Sequence, residues 1–471
     1  MFKGLKPIQY NGREVWPLIE GGKGVSATNH ASSGAWAAAG GIGTVSAVNA
    51  DSYDADGNVI PQVYHGRKRE ERHEELIRYA IDGAVEQVRR AYDMASGPNG
   101  MRGAININVL WEMGGAQQVL HGVLEKTKGM VAGVTCGAGM PYKLSEIAAQ
   151  YNVNYLPIIS SARAFRALWK RAYHKVSDLM AAVVYEDPWL AGGHNGLSNA
   201  EDPKQPQDPY PRVKLLRETM RDQGISDDVP IIMAGGVWYL RDWEDWIDNP
   251  ELGQIAFQFG TRPLLTKESP IPDVWKDELT RIEEGDVLLH KFSPTGFYSS
   301  AVRNAFLRSL EARSERQIPF STEMAGEHTA QLDVGVKGKN FWVAPADLER
   351  ARQWDALGFT TALKTPDNTV VFVTPEERTT IRKDQADCMG CLSHCGFSSW
   401  KDHDNFTTGR LADPRSFCIQ KSLQDIAHGG DVHQNLMFAG HSAYEFGRDP
   451  FYSNGFVPTV KQLVDRILTG D

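Results

Sequence analysis

Four of the five cysteines lie close together near the C-terminal end of the sequence. Cys388, Cys391, Cys395 and Cys418 follow the spacing C-x2-C-x3-C-x22-C. A compact triplet followed by one distant thiolate is typical of a [4Fe–4S] cluster, whereas structural zinc usually takes two separated pairs. Zinc, with His394 able to replace one thiolate, and free buried thiols are the alternatives. The segment therefore predicts a metal site.

A histidine with catalytic potential occurs in the motif AGGHNG. His194 lies between Gly193 and Asn195, where we expect an open loop that offers little packing. Its near-neutral pKa suits it to take a proton from carbon or, as imidazolium, to hold an anion. The alternative is a histidine that only bonds a loop carbonyl. Loop location favours the functional interpretation.

The elements that position these residues follow a βαβ pattern. Short apolar runs alternate with helical periodicity, which indicates a parallel sheet. Eight strands are predicted, at residues 15–19, 43–48, 104–110, 130–136, 154–160, 179–185, 230–234 and 254–259. Helices are predicted at 71–94 and 214–223, and irregular inserts at 49–69 and 198–211. Eight strands over about 250 residues predict an α/β fold, a (β/α)8 TIM barrel whose C-terminal face carries the active site.

Glycines follow the seventh and eighth predicted strands. Gly235 and Gly236 end one strand, and Gly260 and Thr261 end the next. Barrels often bind phosphate at these two places, and Arg262 would add charge. The alternative is that the glycines only allow close packing at turns. Because no Walker A sequence and no complete dinucleotide fingerprint occur, we expect the phosphate of a bound cofactor.

The remaining third of the chain changes in composition. Helices are predicted at 275–284 and 299–315, a small α+β region at 331–377, and an amphipathic helix at 457–468. We therefore expect three parts: a cofactor-binding barrel over 1–265, a mixed extension over 266–385, and the cysteine segment with the final helix over 386–471.

Composition excludes several classes of protein. The 471 residues are 41% hydrophobic and 23% charged, which is typical of a globular chain. The net charge of -9, without a basic cluster, argues against a nucleic-acid partner. The longest apolar stretch, 35–48, is too short for a membrane span, and the N-terminus lacks a secretory h-region. We expect a cytoplasmic protein with a small-molecule substrate; whether it forms a homo-oligomer is left open.

An ordered set of motifs resembles a known family. GGKGVSATNHASSGAWAAAGGIGTVSAVN, ININV, AGGHNG, PIIMAGGV and QFGTR resemble the nitronate monooxygenases (2-nitropropane dioxygenase-like flavoproteins). Those are FMN-binding TIM barrels related to the enoyl reductases of bacterial fatty-acid synthesis. The resemblance covers roughly residues 15–265, and the ending NLMFAGHSAYEFG is similar to the end of some members.

The resemblance implies a set of site residues. His194 occupies the catalytic position. The FMN-binding positions are Gly22, Lys23, Gly24, Asn108, Gly192, Gly193, Gly235, Gly236, Gly260 and Thr261. Lys23 departs from the methionine usual in relatives; beside the N1–C2 edge of the flavin it would favour the anionic reduced ring, and the alternative is that it points to solvent.

Two enzymatic hypotheses follow. The first is an FMN-dependent nitronate monooxygenase that oxidises alkyl nitronates with O2 to a carbonyl product and nitrite, with His194 as the base for a neutral nitroalkane. The second is an NAD(P)H-dependent flavin reductase of a quinone or an enoyl thioester, with electrons passing through an iron–sulfur cluster. Lys23 and the four cysteines favour the second. A non-enzymatic protein on a degenerate barrel is the third hypothesis.

Overall fold

The computed structural model describes residues 2–97, 100–336, 338 and 340–471. Eight parallel strands form a closed barrel: β1 (Leu18–Glu20), β2 (Ile42–Ser46), β3 (Ala104–Leu110), β4 (Gly133–Gly137), β5 (Asn154–Ile159), β6 (Val183–Glu186), β7 (Ile231–Ala234) and β8 (Ile255–Phe259). The order around the barrel follows the chain. Closure is made by β8 against β1, with Phe257 opposite Leu18 and Phe259 opposite Glu20. The predicted barrel is confirmed, and each predicted strand overlaps an observed one.

Among the described residues, one helix follows each of the first six barrel strands, and the remaining helices come after β8. The helices are α1 (His30–Ala38), α2 (Arg69–Ala95), α3 (Ala116–Lys126), α4 (Leu144–Tyr151), α5 (Ala162–Arg171), α6 (Pro209–Asp222), α7 (Asp273–Leu279), α8 (Ala305–Glu315), α9 (Pro345–Ala356), α10 (Pro375–Ala386), α11 (Ile419–Ala427), α12 (Glu445–Arg448) and α13 (Val460–Leu468). Short 3-10 turns lie at Tyr173–Leu179, Leu240–Trp246, Arg262–Leu264, His441–Tyr444 and Pro450–Gly455. The connection from β7 to β8 therefore uses a 3-10 turn in place of a longer helix.

Helix α6 begins earlier than the sequence pattern predicts. The insert 198–211 was expected to be irregular because of its prolines, but α6 starts at Pro209. Proline is tolerated there because the first helical N–H groups have no partner within the helix. The carboxylate of Asp208 caps this end by accepting a hydrogen bond from Tyr210 N at 2.9 Å.

The prediction of one helix over 299–315 is wrong in its first part. Ser299–Val302 is a buried strand, and α8 begins only after Asn304, whose side chain accepts a hydrogen bond from Leu307 N at 3.2 Å. The strand is the middle of a three-stranded antiparallel sheet, between Val287–His290 and Gly193–His194. One partner, Gly193–His194, is distant in sequence, and local periodicity did not reveal the pairing.

The other strands are short. They form an N-terminal hairpin (Ile8–Tyr10, Arg13–Val15), a pair at Ser96–Gly97 and Gly100–Met101, a three-stranded sheet (Gln317–Pro319, Thr369–Val373, Thr361–Lys364), a pair at Ala330–Gln331 and Trp342–Val343, and a pair at His394–Cys395 and Trp400–Lys401. The three-stranded sheet and α9 enclose a small separate apolar cluster that includes Phe341 and Phe372.

The C-terminal helix returns to the barrel. Val460, Leu463, Val464 and Ile467 of α13 are fully buried and belong to the same core as the barrel strands and their helices. The C-terminal part of the chain is thus packed onto the barrel at its outer ring. No helix among the described residues is both long and apolar enough to cross a membrane.

Candidate active site

A large cavity opens at the C-terminal ends of the barrel strands. It encloses about 1380 Å³ of empty space, counting its open mouth. The predicted residues that line it are Gly22, Lys23, Gly24, Asn108, Gly192, Gly193, His194, Gly260 and Thr261. The fold therefore brings together residues spread over more than half of the chain, at the face where barrel enzymes place their chemistry.

The loop after β1 lies directly against the wall formed by β3. A side chain at Gly22 would overlap the Asn108 amide, and one at Gly24 would come within 2.5 Å of Val48 Cβ. Asn108 Oδ1 and Thr44 Oγ1 are buried and have no hydrogen-bond partner among the described residues. Because buried polar atoms are normally paired, these two are available to a bound polar molecule.

Four polar residues of the even-numbered strands were not predicted. Thr44, Thr135, Glu186 and Gln258 lie on β2, β4, β6 and β8 and all line the cavity. Inward-facing residues of alternate strands form one layer in a TIM barrel. The signal was present in the sequence: each is a polar residue near the C-terminal end of an otherwise apolar strand.

Glu186 is the titratable residue of this layer, and its pKa is shifted. Burial, reinforced by the neighbouring Asp187, raises the pKa of Glu186 to about 8. At neutral pH its carboxyl is therefore largely protonated and able to donate a hydrogen bond. It lines both the large cavity and the smaller one beside it.

The smaller cavity, about 520 Å³, lies where β7 and β8 end. Gly235 and Gly236 line it with φ of +94 and +79 degrees, a left-handed conformation that side chains rarely adopt. Gly192, Gly260 and Thr261 line both cavities, which therefore adjoin. The position after the seventh and eighth strands is the usual phosphate site of barrels.

Arg262 lines this cavity, as expected, but its charge is not free there. Its guanidinium is buried, donates to Trp238 O at 2.7 Å and lies 3.4 Å from Asp449 Oδ2. The positive charge is therefore compensated by Asp449. The other polar groups at this cavity are backbone N–H groups and Thr261, whose Oγ1 accepts a hydrogen bond from Gly440 N at 2.9 Å.

His194 is held more firmly than a loop residue. Gly193–His194 pairs with Ser299–Val302, so the expectation of an open loop is wrong. His194 Nε2 lies 2.6 Å from Ser293 Oγ, and the ring meets Phe438 edge-on at 5.6 Å between centroids. Burial lowers the pKa of His194 to about 4. At neutral pH the imidazole is therefore uncharged and able to accept a proton, and it is not the imidazolium that the sequence also allowed.

Lys23 lies in the cavity wall and not in solvent. Its ammonium donates to Gly21 O at 2.7 Å and lies 3.4 Å from Glu20 Oε1. Burial lowers the pKa of Lys23 and raises that of Glu20, while their mutual attraction opposes both changes. The cavity thus has a buried ion pair beside Gly22.

Residues from the C-terminal part of the chain complete the cavity. The unpredicted lining residues there are Leu392, Ile419, Gln420, Leu423, Phe438 and Ala439. A side chain at Gly192 would come within 2.6 Å of the backbone of Ala439 and Gly440. The only signal in the sequence was the motif NLMFAGHS, whose likeness to the family's ending did not show what it contacts.

Hydrogen bonds fasten α11 to the loop that follows β2. Asn49 Nδ2 donates to Gln420 Oε1 at 2.6 Å. The buried carboxylate of Asp51 accepts from Ser26 Oγ and lies 2.7 Å from His428 Nε2. The contact with Asp51 raises the pKa of His428.

The four cysteines gather in one apolar cluster, and Cys391 also lines the large cavity. Among the described residues, however, no group of three or more His, Cys, Asp or Glu side chains is arranged to hold a metal ion. A zinc ion needs its thiolates about 2.3 Å from one point. The predicted metal site is therefore not supported, and His394, which is exposed, does not join the buried sulfurs.

The two adjoining cavities fit FMN. The unpaired Asn108 Oδ1 and Thr44 Oγ1 and the absence of a side chain at Gly22 leave polar, open space in the large cavity. The smaller cavity provides the glycine-rich end for one phosphate. A barrel with this cradle defines an FMN-dependent oxidoreductase.

Residues 99–350, just over half of the chain, match the family model described as nitronate monooxygenase. The chain belongs to the nitronate monooxygenase family. It has no significant match among curated proteins.

Solved structures share the fold. FabK from Thermotoga maritima superposes with a TM-score of 0.52 and 15% identity, over 96% of this chain and 92% of that one. The enoyl reductase domain of MlnA from the macrolactin biosynthesis cluster of Bacillus amyloliquefaciens gives 0.52 and 12%, over 97% and 93%. Nitroalkane oxidase from Streptomyces ansochromogenes gives 0.44 and 18%, over 62% and 78%.

Proposed function

We propose that the protein oxidises alkyl nitronates with O2 to a carbonyl product and nitrite, with FMN bound in the two cavities. The observation that carries this proposal is His194, a neutral imidazole held in the wall of the large cavity. Bound FMN supplies the electron acceptor. The phosphate of FMN is assigned to Gly235, Gly236, Gly260 and Thr261, and the rest of the cofactor to Gly22, Lys23, Gly24, Asn108, Gly192 and Gly193.

His194 has two tasks in this proposal. With a neutral nitroalkane it takes the proton from the carbon beside the nitro group, and Ser293, 2.6 Å from Nε2, holds the ring in place. The imidazolium so formed then pairs with the nitronate anion. An incoming nitronate is already deprotonated, so it needs no proton transfer to His194.

The apolar part of the cavity wall selects the alkyl chain of the substrate. Val25, Val48, Met113, Ile158, Leu423 and Phe438 give one part of the cavity an apolar surface. This surface suits an alkyl chain and excludes water from the reacting carbon.

The alternative is an NAD(P)H-dependent flavin reductase that passes electrons to a quinone or an enoyl thioester. Lys23 supports it, because a buried ammonium beside the flavin favours the anionic reduced ring that forms on hydride transfer.

Anaerobic stopped-flow mixing tests the two candidates. The FMN protein is mixed with an alkyl nitronate, with NADH or with NADPH, and flavin absorbance is followed. If the nitronate bleaches the flavin and neither nicotinamide does, the result supports the oxidation of nitronates. Rapid bleaching by a nicotinamide, with none by the nitronate, rejects it in favour of the reductase.

We further propose that three parts of the chain have different roles in forming the site. Residues 1–265 hold FMN, residues 266–385 brace the His194 strand from outside the barrel, and residues 386–471 close the cavity. Limited proteolysis with and without FMN tests this division, since bound FMN should protect residues 386–471 from cleavage if they close the cavity.

A further inference from the structure

The first turn of α11 places a polar side chain in the wall of the large cavity. Gln420 is the second residue of this helix, and it lines the cavity together with its apolar neighbours Ile419 and Leu423. The residue is almost fully buried, with 1% of its surface exposed. Burying an amide costs free energy unless its polar atoms are hydrogen-bonded. The partners of this amide therefore show what the position requires.

One end of the Gln420 amide is paired and the other is not. Asn49 Nδ2 donates to Gln420 Oε1 at 2.6 Å. Gln420 Nε2, which carries two N–H groups, is buried and has no hydrogen-bond partner among the described residues. Buried donors in proteins are normally paired with a protein group or with ordered water. Because Gln420 lines the large cavity, a molecule bound there can supply the missing acceptor.

Contacts at both ends of α11 hold this donor in place. Asn49, in the loop after β2, also lines the cavity and fixes the orientation of the Gln420 amide through the hydrogen bond to Oε1. Two residues further along the same loop, the carboxylate of Asp51 lies 2.7 Å from Nε2 of His428, the C-cap residue of α11. A donor that is fixed before its ligand binds loses little free energy to reorganisation.

The two sides of the cavity offer different hydrogen-bonding groups. On the barrel side, Asn108 Oδ1 and Thr44 Oγ1 lack partners among the described residues, and Asn108 is one of the residues assigned to FMN. All residues assigned to FMN lie between positions 22 and 261, whereas Gln420 belongs to the C-terminal part of the chain. A nitro group has acceptor oxygens and no donor, so a free N–H donor outside the flavin-binding set suits it.

The positive charge in the cavity wall is already engaged. Among the described lining residues, Lys23 is the only lysine or arginine. Its ammonium donates to Gly21 O at 2.7 Å and lies 3.4 Å from Glu20 Oε1. The oxygens of a bound nitro compound are therefore left to uncharged donors such as Gln420 Nε2. A hydrogen bond to a charged acceptor is stronger than one to a neutral acceptor, so this donor binds a nitronate better than a nitro group.

We propose that Gln420 Nε2 donates a hydrogen bond to a nitro oxygen of the substrate and that this bond strengthens as the nitronate forms. The identity of the substrate rests on the proposed function, whereas the unpaired donor does not. When His194 takes the proton from the carbon beside the nitro group, the electron pair of the broken C–H bond forms the C=N bond, and negative charge moves to the nitro oxygens. Gln420 then stabilises charge at the atoms where it develops.

Equilibrium binding of an unreactive nitro compound tests the hydrogen bond. The probe, 2-methyl-2-nitropropane, has no hydrogen on the nitro carbon and cannot become a nitronate. Its binding to the full-length FMN protein is followed by the change in flavin absorbance. Gln420→Met removes the donor at nearly constant size and should raise the dissociation constant of the probe about three- to tenfold. Equal dissociation constants for the parent and Gln420→Met, or no binding to the parent, overturn the proposal.

Two further variants control for damage to α11. Gln420→Glu, ionised at about pH 9, keeps an acceptor for Asn49 Nδ2 but has no N–H to donate, so it should weaken probe binding as Gln420→Met does. Lys421→Ala changes the next residue, whose ammonium lies 2.9 Å from the Asp384 carboxylate and does not line the cavity. It should leave the dissociation constant unchanged. An equal loss in Lys421→Ala and Gln420→Met refutes the hydrogen bond, because loosening of the helix would explain both.

Two measurements separate the substrate from the cofactor as the acceptor. The dissociation constant of FMN for protein stripped of cofactor should change by less than about twofold in Gln420→Met, and a rise of about tenfold with probe binding kept would assign the donor to FMN instead. The kcat/KM for a pre-formed nitronate should fall about 10- to 100-fold, and a fall smaller than that in probe affinity contradicts the strengthening. Failure of a nitronate to bleach the parent counts only against the proposed function, and equal probe affinities count only against Gln420.

Discussion

Replacing Gly236 by aspartate should abolish FMN binding through two separable effects. Gly236 has a φ of +79 degrees, and a Cβ there would come within 2.7 Å of Leu190 Cδ1. The left-handed conformation costs a residue with a side chain about 1–2 kcal/mol. A carboxylate about 6 Å from a phosphate dianion adds about 5 kcal/mol of repulsion at an effective dielectric constant of about 20, reduced to about 3 kcal/mol by screening.

Gly236→Asn is the matched control because it has the size of aspartate and tolerates positive φ, but carries no charge. The dissociation constant of FMN, measured by flavin fluorescence on protein stripped of cofactor, should rise on the order of 10²-fold more for Asp than for Asn. Riboflavin lacks the phosphate, so for riboflavin the two variants should agree. An Asp variant that binds FMN as tightly as the Asn variant, or an equal gap with riboflavin, would refute the assignment of the phosphate to this cavity.

Three further outcomes are expected. His194→Asn should leave FMN bound but lower turnover of a neutral nitroalkane by roughly 10²–10⁴, with a smaller loss for the pre-formed nitronate, and equal rates for variant and parent would contradict the role of a base. Because burial lowers the pKa of His194 to about 4, kcat/KM for the nitroalkane should stay level above about pH 5, apart from substrate ionisation, and fall as the pH drops towards 4; a fall centred near pH 6.5 contradicts this. The contact with Asp51 raises the pKa of His428, so its stabilisation is complete below the unfolded value of about 6.5 and is lost as the pH rises through the folded value. His428→Gln should therefore lower the free energy of unfolding, measured by urea titration, more at pH 6 than at pH 9, by about 1 kcal/mol or less since the side chain is partly exposed.

The barrel was predictable because its strands carry their own signal. Parallel strands buried on both faces, such as Ile231–Ala234, are continuous apolar runs bounded by polar turns. The glycine positions after β1, β6, β7 and β8 were predictable for a related reason, since a close approach or a left-handed turn leaves few residue types to choose from.

The remainder of the site depends on contacts between distant parts of the chain. Ser299–Val302 resembles the start of α8 locally, and its pairing with Val287–His290 and with the distant Gly193–His194 makes it a strand. The low pKa of His194 likewise arises from burial beneath residues such as Phe438, which the motif AGGHNG does not encode. The spacing of the four cysteines did not reveal where they lie in the fold, so the contact of Cys391 with the large cavity was not predicted.

Binding of FMN and docking of the C-terminal segment must therefore stabilise each other. Gly192 and Thr261 line both cavities, and each lies against Ala439 or Gly440. FMN bound in these cavities contacts a surface that exists only when residues 438–442 are in place. Any ligand that binds only the assembled form stabilises it by RT ln(1 + [L]/Kd), which is about 2.7 kcal/mol at a hundredfold excess over Kd. The same linkage requires that loosening of α11 or of residues 438–442 weakens FMN binding, although neither segment belongs to the barrel.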